Sequence, residues 1–122
     1  MYRTNIEYKD YFGNERVKEA TFHLTESEML EYEAKTNRGL RRMIEAIMAD
    51  HEETDITNFM VTFVKASYGE ISPDGSMFDK SDEVWNRFYR TPAYDKFFMK
   101  VMTDGDAAME FINQTIEKIQ NE

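Results

Sequence analysis

The chain has 122 residues, with 24 Asp or Glu against 15 Lys or Arg, a net charge of −9 and no cysteine. Disulfides, thiolate nucleophiles and cysteine-ligated zinc are thereby excluded, and an acidic chain repels phosphate backbones, which argues against nucleic acid. Nine Phe, seven Tyr and one Trp can build the core of a single domain over residues 1–122, whereas no apolar run approaches the roughly 20 residues of a membrane span.

The N-terminus lacks the basic start and apolar run of a signal peptide. Instead, Tyr2, Thr4, Ile6 and Tyr8 alternate with Arg3, Asn5, Glu7 and Lys9, the pattern of a half-buried strand. Gly13-Asn14 signals a turn, and Ala20, Phe22 and Leu24 then alternate against Glu19, Thr21 and His23. Residues 1–24 therefore read as a β-hairpin, with Val17 out of phase and a bulge expected near it. An isolated hairpin is marginal in water, so it must lie on the helices or pair along its edge with another copy.

From Thr25 the period becomes helical. Thr25 and Glu28 have the spacing of a capping box, ahead of Met29, Leu30 and Tyr32 on a helix ending near Asn37-Arg38-Gly39. Leu40, Met43, Ile44, Ile47 and Met48 stripe a second helix, closed by the polar run His51 to Asp55. Ile56, Phe59, Met60, Phe63 and Val64 stripe a third, stopped by Gly69. Residues 70–80 read as a loop on the turn Pro73-Asp74-Gly75. Ser81 caps a fourth helix carrying Val84, Trp85, Phe88 and Tyr89. Thr91-Pro92 starts a fifth with Tyr94, Phe97, Phe98, Val101 and Met102. Asp104 caps a sixth, striped by Ala108, Phe111, Ile112, Thr115, Ile116 and Ile119, and the tail after it frays. The expected fold is α+β, mostly α: an N-terminal two-stranded β-hairpin followed by about six short packed helices over residues 25–120.

Catalytic patterns are missing. His23 and His51 are far apart, and the stretch from His51 to Asp55 lacks the second histidine of a helical zinc motif. Asp104-Gly105-Asp106 with Glu110 lacks the ligand spacing of a calcium loop, as does Asp74-Gly75-Ser76, and helix capping explains Asp104 more simply. No phosphate loop or nucleophile elbow is present. Arg38, Arg41 and Arg42 form a basic cluster best read as a solvated or salt-bridging face. The expectation is a protein without metal or cofactor that is not an enzyme.

The nine methionines stand out against this background. Met29, Met43, Met48, Met60, Met99, Met102 and Met109 lie on or beside apolar stripes, where they fill core space or form an adaptable binding surface. Trp85, Phe88 and Tyr89 give the fourth helix a wide apolar face, which either anchors a partner or covers the hairpin. The candidate partner-binding set is Trp85, Phe88, Tyr89, Phe98, Met99 and Met102.

The order of these pieces carries a resemblance. Tyr8-Lys9-Asp10-Tyr11-Phe12-Gly13-Asn14-Glu15-Arg16, Phe22-His23-Leu24-Thr25, Ser67-Tyr68-Gly69, Ser72-Pro73-Asp74-Gly75, Phe78, Phe88, Thr91-Pro92-Ala93-Tyr94, Phe97-Phe98, Thr103-Asp104 and Phe111-Ile112-Asn113 span nearly the whole chain. In that order they resemble the tail assembly chaperones of long-tailed bacteriophages and prophages. The resemblance implies a non-enzymatic factor of the host cytoplasm. It would bind the helical tape-measure protein and keep it soluble while tail-tube subunits, a further partner class, polymerise around it. It also implies absence from the mature virion and a longer frameshifted form. Self-association through the hairpin edge would suit several copies coating one strand. The alternative is a minor tail protein of completion or connector type that stays in the particle. An acidic mimic is disfavoured because carboxylates are spread through every segment.

Overall fold

The computed structural model describes residues 1–36 and 53–116. In chain order it contains β1 (Tyr2–Lys9), β2 (Glu15–Phe22), α1 (Glu26–Thr36), α2 (Glu53–Ser67), β3 (Tyr68–Ile71), β4 (Phe78–Asp79), α3 (Asp82–Tyr89), α4 (Pro92–Thr103) and α5 (Gly105–Thr115). Five helices are thus described rather than about six. The helix expected on Leu40 to Met48, the arginine cluster Arg38, Arg41 and Arg42, and His51 lie outside the described residues.

The N-terminal hairpin forms as its alternation requires, in an unbroken antiparallel register from Tyr2↔Phe22 to Lys9↔Glu15. No bulge interrupts it. Val17 simply faces outward opposite Glu7, 65 % exposed. The turn is held by one carboxylate: Asp10 Oδ1 accepts from the amides of Phe12 and Asn14, both at 2.9 Å, and Asp10 Oδ2 accepts from Arg16 Nε at 2.6 Å. Gly13 takes the positive φ (+87°) that closes the three-residue loop.

The stretch 70–80 is not a plain loop. Helix α2 ends at Ser67, and the chain enters β3, which pairs antiparallel with β2 through Thr21↔Gly69 and Phe22↔Tyr68. Gly75, at φ +77°, closes a second hairpin onto the two-residue β4, giving a four-stranded sheet of order β1-β2-β3-β4. Gly69 therefore does not stop a helix. Its place is fixed by crowding, since a Cβ there would stand 2.6 Å from the Phe78 ring and 2.9 Å from Asp79 O.

The helix starts follow their local chemistry. Thr25 N donates to Glu28 Oε1 (3.0 Å) and Glu28 N to Thr25 Oγ1 (3.2 Å), a reciprocal capping box for α1. Ser81 Oγ accepts from Val84 N at 3.3 Å, Pro92 occupies the first turn of α4, and Asp104 Oδ1 accepts from Asp106 and Ala107. The last helix is shorter than its apolar stripe. It ends at Thr115, whose carbonyl accepts from Leu24 N at 3.0 Å, and Ile116 turns extended to form a parallel bridge with Leu24. That contact satisfies a helix-end carbonyl which another turn would have used internally.

One core joins the sheet to the helices, and Phe22 is its centre. The Phe22 ring stacks on Phe97 (centroids 4.9 Å) and meets Phe111 (5.0 Å), Tyr68 (5.5 Å), Tyr2 (6.1 Å) and Phe88 (6.2 Å). Helix α2 enters through Phe59, Met60, Phe63 and Val64, all buried, with Phe63 edge-on to Phe111 at 5.4 Å.

Candidate functional site

Helix α4 divides its surface three ways. Ala93, Phe97 and Val101 are buried in the core. One flank carries Tyr94, Phe98 and Met102, half-buried against that core, and Met99 stands outward at 49 % exposure. The other flank presents Lys96 and Lys100 beside β1, where they line a groove with Thr4, Asn5, Ile6, Glu7 and Phe97. The asymmetry follows from the 3.6-residue period acting on AYDKFFMKVM.

On the apolar flank, α3 and α4 build a continuous ridge of rings. Trp85 stacks on Tyr89 (5.5 Å) and meets Tyr94 edge-on (5.6 Å), Tyr89 packs on Tyr94 (5.0 Å), and Tyr94 stacks on Phe98 (5.6 Å). The turn Arg90-Thr91-Pro92 brings the helices together, closed by Thr91 N and Oγ1 donating to Phe88 O. Burial raises the pKa of the Tyr94 hydroxyl, with Tyr89 and Asp95 adding to the shift.

The six candidate residues do not share one environment. Tyr89 (52 % exposed) and Met99 are open to solvent, and Phe98 and Met102 are half-buried beside them. Trp85 is 9 % exposed at the base of the ridge, and Phe88 is 1 % exposed, stacked on Tyr68 at 4.2 Å. Ring contacts thus join Trp85 and Tyr89 to Phe98 through Tyr94, Met99 and Met102 lie on the same helix as Phe98, and Phe88 is set in the core. Of the other methionines, Met60 is fully buried, Met29 is half-buried against the core, and Met43 and Met48 lie outside the described residues.

Three aromatic residues missing from the candidate set belong to the same end of the molecule. Tyr94 links the two halves of the ridge. Tyr11 and Phe12, at the hairpin tip, are 82 % and 93 % exposed. They line a cleft of about 330 Å³ with Tyr8, Asp10, Arg16, Arg90, Thr91 and Pro92, so the tip faces the α3–α4 turn. A signal for them was present in the sequence: two adjacent aromatics inside an Asp-to-Gly turn have no interior to enter, because turns run over the surface.

This surface offers apolar contact, with Tyr hydroxyls as its polar handles and methionine as its adaptable element. Among the described residues no group of three or more His, Asp or Glu is placed to hold a metal ion, and no helix is long and apolar enough to cross a membrane. Comparison with known proteins gives one family. The family described as "Phage tail assembly chaperone" matches residues 1–121. No curated protein matches the chain, and no solved structure does.

Proposed function

Because the chain belongs to the phage tail assembly chaperone family, we propose that it acts without catalysis, in the host cytoplasm, by binding the tape-measure protein and keeping it soluble until the tail tube encloses it. The observation that supports a binding site here is the ring ridge of Trp85, Tyr89, Tyr94 and Phe98 on two adjacent helices, with Met102 half-buried and Met99 exposed on the second of them. A tape-measure helix exposes apolar side chains at i, i+3, i+4 and i+7, and such a stripe lays into an apolar strip of this kind. Flat rings anchor it, and methionines adjust to changes of sequence along its length. The net charge of −9 keeps coated complexes apart.

The test is co-expression with the tape-measure protein of the same phage. The wild-type chain is expected to hold that protein in the soluble fraction and to co-purify with it. Met99→Glu, which places a charge on the exposed face of α4, should abolish both effects, whereas Val17→Glu, also exposed but on the sheet's outer face, should abolish neither. Tail-tube subunits added to the complex should displace the chain, and purified particles should lack it. Insolubility with or without the chain, or its recovery as a component of finished particles, would overturn the proposal in favour of a minor tail protein.

A further inference from the structure

The sheet has two edges, and they differ. Strand β4 is two residues long, but β1 runs for eight residues without proline or bulge. Which groups of β1 are free follows from the turn. Asp10 N donates to Asn14 O at 2.9 Å, so the even residues of β1 bond to β2. The odd residues Arg3, Asn5, Glu7 and Lys9 therefore aim their N–H and C=O groups out of the sheet. No described residue pairs with those groups, and all four side chains are exposed on the outer face. Natural edges of this length are usually blunted by a bulge, a proline or like charges. This one has none of the first two.

The charges on the edge are complementary to themselves. In an antiparallel pairing of β1 with β1 of a second copy, centred on Asn5, Arg3 stands opposite the other copy's Glu7 and Glu7 opposite its Arg3. Asn5 meets Asn5, and on the core face Tyr2 meets Tyr8 while Thr4 meets Ile6. This register also sets odd residue against odd residue, the only parity in which the free backbone groups bond. Shifting it by two residues in one direction sets Arg3 against Lys9, and in the other Arg3 against Asn5, so both opposite-charge pairs are lost. Below the edge, the groove of about 440 Å³ between β1 and α4, floored in part by Phe97, leaves room for the core-face side chains of an added strand.

We propose that this chain self-associates through β1, forming a two-fold dimer with a continuous eight-stranded sheet in which two Arg3–Glu7 pairs select the register. The contact rests on one short strand per copy and two exposed ion pairs, so it is weak and reversible. The dimer leaves the ring ridge of each copy open, and it does not rest on the tape-measure reading.

Charge reversal tests the register. Sedimentation of the purified chain over a concentration series should show a reversible monomer–dimer equilibrium. Arg3→Glu and Glu7→Arg should each weaken it roughly tenfold, because the two-fold axis doubles every like-charge pair. The double variant Arg3→Glu/Glu7→Arg should restore it. Asn5→Pro removes an outward N–H that the hairpin does not use and should leave a folded monomer. Amide exchange at Arg3, Asn5, Glu7 and Lys9 should slow as concentration rises. A monomer at every concentration, a double variant no tighter than the singles, or protection of these amides only when tape-measure protein is added would each overturn the proposal.

Discussion

At the scale of single residues, two aspartates organise the two hairpins. Hydrogen bonds from Arg16 and from the Asn14 and Phe12 amides hold the Asp10 carboxyl below the usual aspartate range. At the second turn, the Ser76 amide and the Ser76 and Ser72 hydroxyls lower Asp74 to about 2. Glu28 shows the same balance differently. Burial raises its carboxyl, and the ammonium of Lys80 at 2.8 Å with the Thr25 hydrogen bonds more than offsets that, leaving it lowered. All three bind a proton less readily folded than unfolded, so protonation favours the unfolded chain. Their stabilisation is complete above the ordinary carboxyl values and is lost as pH falls from about 4 towards about 2. Denaturant midpoints at pH 7, 4 and 2.5 should therefore fall mainly over the last interval. Asp74→Asn, which keeps an acceptor oxygen without the charge, should flatten that fall.

At the scale of elements, the five described helices could be read from the sequence and half of the sheet could not. The starts of α1, α3 and α5 depend on residues within three or four positions of one another, such as Thr25 with Glu28, Ser81 with Val84 and Asp104 with Ala107. The β1–β2 hairpin is equally local. Strands β3 and β4 have four and two residues, too few for alternation to register. Strand β3 forms against Thr21 and Phe22, far back in the chain, and β4 then pairs on β3. The ring ridge was legible in part for a related reason. Helical period places Tyr89, Phe98, Met99 and Met102 on a surface, but only the tertiary packing shows that Phe88 turns inward onto Tyr68 and Phe22 and that Tyr94 joins the ridge. Gly69 marks where β3 and β4 close on each other. Gly69→Ala should cost roughly 1–3 kcal/mol by overpacking against Phe78 and the Asp79 carbonyl. Chemical denaturation checks this, and Phe78→Ala in the same chain should recover part of the loss.

At the scale of the whole molecule, Phe22 links every layer, since its ring touches residues of β1, β3, α3, α4 and α5. Phe22→Ala should cost about 3–5 kcal/mol, a large part of the roughly 5–15 kcal/mol that holds a domain folded. Heat or denaturant should then reveal one broad early transition, whereas Val17→Ala on the outer face should move the midpoint little. The bridge between Leu24 and Ile116 adds a constraint of timing. During synthesis the hairpin emerges before the carbonyl that receives the Leu24 amide and the α5 ring that covers Phe22, which belong to Thr115 and Phe111 much later in the chain. At about 5–20 residues per second, the hairpin waits on the order of 5 to 20 seconds for them. Through that interval the apolar face of the hairpin, Tyr2, Ile6, Ala20 and Phe22, lacks the α5 ring that covers it in the folded chain, so a newly made chain carries the exposure that its own α5 later removes.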